Sequence, residues 1–230
     1  MPRTRRPPPL VDWSLEGPRT WAAFARFVGL APLLTLAPRG DGHPVLVLPG
    51  YLASDLSTVP LRGMLGRLGY QALGWRLGRN VGPTDAVVDG LTRAVDEIGE
   101  AHGRPLSIVG WSLGGVFGRE LARRYPDRVR QVISLGSPFG ALSLSADPLT
   151  VPSTAVYTRS DGIVAWQTTV QPTDERSENV EVRGSHCGLG VNPAAIFAIA
   201  DRLAQREGRW APFRPPLALR RWYPRPQEVR

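Results

Sequence analysis

The chain has 230 residues, 42% hydrophobic and 21% charged, the profile of a soluble globular protein large enough for one domain with a substantial core. Its formal net charge of +8 is carried wholly by arginine and sits at the ends: residues 1–9 hold three arginines and no acid, residues 209–230 hold six arginines and Glu228, and the body between sums to zero. A neutral body without interleaved basic and aromatic residues argues against a nucleic-acid partner, and a lone cysteine, Cys187, excludes an internal disulfide.

The first residues, "MPRTRRPPPLVDWSLEG", are basic but have no apolar core behind them, so they do not form a secretory signal, and a cytoplasmic location is expected. Residues 1–20, rich in proline and arginine, are expected as an extended arm. Residues 19–37 predict one or two short helices broken near Pro32, acting as a lid over a lipid-binding site or as a cover on the main sheet. The most apolar segment, Trp21 to Pro38, falls short of the ~20 apolar residues of a membrane span.

From His43 the pattern becomes regular. "VLVLPG" (45–50) reads as a buried strand ending in a turn, 58–68 as a helix, and "QALGW" (71–75) as a strand. A helix over 82–103 opens at Pro83 and Thr84 and stops near Gly103. A strand at 106–109, a helix from Ser112 to about Tyr125 and a strand within 129–138 follow. "STAVYTRSDG" and "ENVEVRGSH" each carry a short strand, and a helix spans about 193–206. The order predicts an α/β fold of about six mainly parallel strands with helices on both faces. The expected organisation is an N-terminal arm and helical segment (1–42), a catalytic domain (43–208) and an Arg/Pro-rich tail (209–230).

Ligands of such sheets gather beyond the carboxyl ends of the strands. Tyr51, Ser112, Asp161 and His186 each follow such an end. Gly110-Trp111-Ser112-Leu113-Gly114, between a strand and a helix, has the context of a nucleophile elbow. A serine needs a neighbouring base. His43 precedes the first strand and falls at the wrong edge, and His102 ends a surface helix, which leaves His186 in "VRGSHCGLG". Asp161 in "YTRSDGIV" is the candidate for the acid that orients it, with Asp147 as competitor. The backbone N–H groups of Leu113 and of Tyr51, in the glycine turn after the first strand, are the candidate oxyanion donors.

These residues resemble the α/β-hydrolase superfamily, and within it the small bacterial lipases of the lipase A type. "VLVLPGY", "VGWSLGG", "YTRSDGIV" and "ENVEVRGSHCGLGVNPAAIFAI" carry the resemblance over residues 45–200. It implies Ser112, Asp161 and His186 as a catalytic triad and Tyr51 and Leu113 as oxyanion donors. Pro49-Gly50 stands where those lipases have His-Gly, and the first 40 residues and the tail lie outside their minimal fold.

The short interval 139–153 leaves no room for a large cap domain, so the site is expected to be open, or roofed by this loop and the N-terminal helices, with Phe139, Leu142, Leu144 and Trp166 as candidate walls of an apolar pocket or members of the core. The expected activity is serine-dependent hydrolysis of carboxylic esters with apolar acyl groups. No metal or organic cofactor is implied. The expected partners are a small-molecule or lipid ester and, through residues 19–37 or the arginine-rich ends, a membrane surface. The alternatives are acyl transfer by the same triad and a non-catalytic scaffold that binds a partner.

Overall fold

A computed structural model describes residues 7–139 and 148–224. Six strands form one sheet: β1 (Pro44–Leu48), β2 (Gln71–Gly74), β3 (Leu106–Trp111), β4 (Val129–Leu135), β5 (Ser153–Tyr157) and β6 (Ser177–Glu181). Their order is β2-β1-β3-β4-β5-β6, and every neighbouring pair is parallel. A parallel sheet is covered on both faces, which is why Val45, Leu46, Val47 and Leu48 are all apolar and all buried.

The helices are α1 (Leu10–Ser14), α2 (Glu16–Leu34), α3 (Asp55–Arg67), α4 (Asp85–His102), α5 (Leu113–Arg124) and α6 (Pro193–Leu203). Two apolar layers result. Leu61, Met64 and Leu65 of α3 pack with Ile196, Ile199 and Leu203 of α6 on one face, where Leu34 of α2 joins them. Val87, Leu91 and Val95 of α4 pack with Phe117 and Leu121 of α5 on the other. The ends of these helices follow local chemistry. Thr84 accepts a hydrogen bond from the Val87 N–H to start α4, and Gly103 closes it with φ 61°. Asn192 caps α6 by accepting from Ala194 and Ala195, with Pro193 in the first turn.

The predicted α/β sheet is therefore present, with only residues 136–152 between β4 and β5. The strand order reverses between β1 and β3, so the turns after these two strands meet at the switch point of the sheet.

Both chain ends depart from expectation. The expected extended arm is helical at Leu10–Ser14, and α2 begins at Glu16 and runs through Pro32 without a break. Pro32 lies in the last turn of α2, so the helix ends two residues after it and only one intrahelical N–H bond is forgone. The expected C-terminal tail is docked over 213–223. Phe213 packs edge-on against Tyr223 at 4.8 Å between ring centroids, and the Tyr223 hydroxyl donates to the Ala194 carbonyl at 2.8 Å. Glu178 anchors this segment by accepting from Arg202 at 3.0 Å and from the Phe213 N–H at 2.6 Å. Among the described residues no helix is long and apolar enough to cross a membrane.

Candidate active site

Ser112 sits between β3 and α5 with φ 52° and ψ −121°, a backbone conformation that costs a non-glycine residue about 1–3 kcal/mol. The surrounding glycines allow this turn. A Cβ on Gly110 would overlap the backbone of Gly114, one on Gly114 would overlap the Leu48 carbonyl, and one on Gly115 would overlap the Ser137 hydroxyl. The turn after β1 also approaches closely, since a Cβ on Gly50 would lie 3.2 Å from the Ser112 Cβ.

Two amides flank the serine. Ser112 C=O accepts from the Gly115 N–H at 3.0 Å, and Gly50 C=O accepts from the Ala53 N–H at 3.1 Å. In a trans peptide the C=O and the following N–H point in opposite directions. The N–H groups of Leu113 and Tyr51 are thus turned away from these local bonds, and neither donates to another group among the described residues.

A buried side chain, Asn80, braces the Tyr51 turn. Its amide donates to the Pro49 carbonyl at 2.8 Å, its backbone carbonyl accepts from Leu52 at 2.7 Å, and its backbone N–H donates to Ala53 at 2.8 Å. These bonds hold Leu52 at φ 60°. If the Tyr51 N–H serves as an oxyanion donor, Asn80→Ala is expected to lower kcat about tenfold with little change in KM, on the scale of one loosened donor. Steady-state kinetics at a temperature where the variant is fully folded checks this.

Asp161 and His186 meet in a buried pair. His186 Nδ1 lies 2.7 Å from Asp161 Oδ2, with the residues 5% and 3% exposed. The other carboxylate oxygen accepts from the N–H groups of Ile163 at 3.0 Å and Val164 at 2.7 Å, which fixes the acid in its turn. With Nδ1 committed to Asp161, Nε2 is left for a substrate proton. Gly136, at φ 56° just past β4, leaves room for the pair: a Cβ there would lie 3.1 Å from His186 Nδ1. The adjacent Leu135 carbonyl accepts from the Ser112 N–H at 2.8 Å, so the end of β4 lies between serine and histidine. The indole N–H of Trp111 donates to the His186 carbonyl at 3.1 Å, tying the elbow to the histidine loop. Ser112 Oγ and His186 Nε2 have no hydrogen-bond partner among the described residues, so the two are not bonded to each other. Such a bond commonly tightens only with substrate in place.

A further carboxylate, Glu16, which no sequence signal marks, is buried at the start of α2. Its Oε1 accepts from the N–H groups of Gly162 at 2.7 Å and His186 at 2.9 Å, and its Oε2 accepts from Cys187 at 3.0 Å. One side chain thus joins the Asp161 loop to the His186 loop. The rest of the N-terminal helices follows the same seam. Arg19 donates to the Ser160 carbonyl at 3.2 Å, Thr20 and Ser185 hydroxyls lie 3.1 Å apart, and a Cβ on Gly162 would overlap the Asp12 carbonyl.

Cys187, next to His186, is exposed, yet its surroundings disfavour the thiolate. Desolvation and the neighbouring Glu16 carboxylate push its thiol up to about 11. At pH 8 it is expected to alkylate about 100-fold more slowly than a free cysteine, a rate that iodoacetamide labelling measures.

The other sequence candidates fall as follows. Phe139 is buried in a small cluster with Val116 and Ala155, under the Arg119 guanidinium at 4.4 Å, and so lies in the core. Trp166 stacks on Tyr157 at 5.9 Å with Arg159 over its ring, and so packs beside β5. Leu142, Leu144 and Asp147 lie outside the described residues. His43 is fully buried at the opposite sheet edge, between Asp41 at 2.5 Å and Ser107 at 2.9 Å. Burial lowers its pKa despite Asp41, a structural setting rather than a catalytic one. Among the described residues no group of three or more His, Cys, Asp or Glu is placed to hold a metal.

Comparison with known proteins agrees with this architecture. A family model described as the alpha/beta hydrolase fold matches residues 78–151. No curated protein matches the sequence. Among solved structures, lipase B of Aspergillus fumigatus superposes with a TM-score of 0.59 at 17% identity, covering 73% of this chain and 53% of its own. The chain thus spans about half the length of that lipase. A lidless a/b serine hydrolase of Xanthomonas campestris gives a TM-score of 0.52 at 17% identity over 83% of this chain and 88% of its own. The thioesterase domain of a curacin biosynthetic pathway gives 0.54 at 15% identity, over 70% and 92%.

Proposed function

We propose that this chain, which has the α/β-hydrolase fold, hydrolyses carboxylic esters through an acyl-enzyme on Ser112. The observation that carries the reading is the buried Asp161–His186 pair against Gly136, at the end of the strand whose Leu135 carbonyl accepts from the N–H of a serine held at positive φ. Ser112 Oγ attacks the ester carbonyl carbon while His186 Nε2 takes its proton. The carbonyl oxygen, now an anion, is received by the free N–H groups of Tyr51 and Leu113. Asp161 holds the imidazole by Nδ1 and stabilises its charged form. The proton passes from His186 to the departing alcohol. Water, deprotonated by the same nitrogen, then cleaves the acyl-enzyme and restores the serine.

The preference for apolar acyl groups is supported by the surface around the serine. Tyr51, Leu52, Leu56 and Val59, on the turn after β1 and the first turns of α3, and Ile163, beside Asp161, are all exposed. Large apolar side chains grouped in this way suit an apolar ligand. The outer side of the N-terminal helices adds Trp13, Trp21, Phe24 and Val28.

Hydrolysis of p-nitrophenyl esters from acetate to palmitate tests the reading. We expect turnover with an optimum beyond acetate. No turnover of any ester overturns it, and products formed on an added alcohol in place of free acid would move the assignment to acyl transfer.

A further inference from the structure

The triad does not use a second cleft, of about 810 Å³, walled by α2, the end of β6, the start of α6 and the 3-10 turn Leu217–Trp222. Four arginines from these distant segments line it: Arg19, Arg26, Arg183 and Arg221, with no Asp or Glu among the lining residues. Arg19 and Arg26 are seven residues apart on α2, two turns along the same face. Arg19 is partly engaged, by Asp12 at 2.7 Å and the Ser160 carbonyl. Arg26, Arg183 and Arg221 have no ion pair or hydrogen bond among the described residues.

Like charges gathered in one concavity repel one another, and a bound counter-anion relieves that repulsion. The positive end of α6, whose first residues line the cleft, adds to the same field. Ala22, Ala23, Leu30 and Trp222 give the lining an apolar part beside the polar Ser160 and Asn192.

We propose that this cleft binds a phosphate monoester bearing an apolar chain, with the phosphate among the arginines and the chain along Leu30 and Trp222. A phosphate matches three unpaired guanidinium groups better than a carboxylate does, because its three terminal oxygens can accept from several forks at once. The chemistry is shared by an anionic lipid headgroup and by a soluble phosphate ester with an apolar body. Occupancy also bears on the triad loops. Ser160 and Gly184 both line the cleft, the Ser160 hydroxyl donates to the Gly184 carbonyl at 2.7 Å, and these residues stand one before Asp161 and two before His186. The proposal does not depend on the reaction at Ser112.

Isothermal titration of the full chain with decyl phosphate, which has no carboxylic ester to cleave, tests it, with inorganic phosphate and decanol as controls. We expect one decyl phosphate per chain, weaker binding of inorganic phosphate, and none of decanol. The Arg26→Gln/Arg183→Gln double variant should bind about a hundredfold more weakly, on the scale of two lost charge-assisted hydrogen bonds. Both residues are exposed, so the fold should persist, and Arg214→Gln, an exposed arginine outside the cleft, should bind normally. Failure of decyl phosphate to bind, equal binding by the double variant, or equal binding of decanol would overturn the proposal. Sedimentation with phosphatidylcholine vesicles containing ether-linked phosphatidic acid assigns the source. Loss of vesicle binding in the double variant supports a headgroup, and binding of decyl phosphate without vesicle binding supports a soluble ester.

Discussion

Ser112→Ala is expected to lower kcat for ester hydrolysis by about 10⁶-fold, or ~8 kcal/mol of transition-state stabilisation, with KM little changed. The size follows from covalent catalysis: without Oγ there is no acyl-enzyme, and His186 has no nucleophile to activate. Asp161→Asn should cost about 10⁴-fold, because an amide facing Nδ1 favours the wrong imidazole tautomer. The Ser112→Ala change should not lower stability by much. At position 112 alanine has the same φ cost as serine, and Ser112 Oγ has no partner among the described residues to lose.

Glu16→Ala is expected to act on both stability and rate. It leaves the N–H groups of Gly162, His186 and Cys187 without their acceptor, in a place where Glu16 itself is 6% exposed. An unsatisfied buried donor costs about 1–3 kcal/mol, so a loss of at least ~3 kcal/mol of unfolding free energy is expected in chemical denaturation. The rate effect is separate. Glu16 places the acid and base loops relative to one another, and a small misplacement of a triad member costs up to about 100-fold in kcat. Glu16→Gln keeps the shape and one accepting oxygen, and should give an intermediate loss in both. If Glu16→Gln loses stability but keeps wild-type kcat under conditions where it is folded, Glu16 supports the fold without positioning the triad.

The sheet was legible because its signals are local. Continuous apolar runs such as "VLVL" mark buried strands, and glycines, prolines and capping residues punctuate them within a few positions. That Ser112, Asp161 and His186 come to the carboxyl edge of the sheet was legible from their place just after strands. The seam between α2 and the triad loops was not. Glu16 and His186 are 170 positions apart, and nothing in "WSLEGPRT" distinguishes a buried carboxylate from a solvated one. Gly162 reads as a turn glycine after an aspartate, yet what forbids a side chain there is the carbonyl of Asp12. The C-terminal segment misleads by composition. Its arginines and prolines suggest a solvated tail, whereas Phe213, Trp222 and Tyr223 hold it on the core. Phe139 was ambiguous for a physical reason, since an aromatic residue after a strand can face a pocket or a helix, and here it faces Val116 of α5.

Whether Ser112 is a nucleophile activated by His186 can be tested by covalent labelling before any substrate is known. The chain would be treated with a fluorophosphonate, its intact mass measured, and the modified peptide mapped. A single phosphonyl adduct on Ser112 is expected, absent from Ser112→Ala and formed far more slowly in His186→Ala. No adduct on the folded wild-type chain, or an adduct at another residue with Ser112 unmodified, would contradict that role.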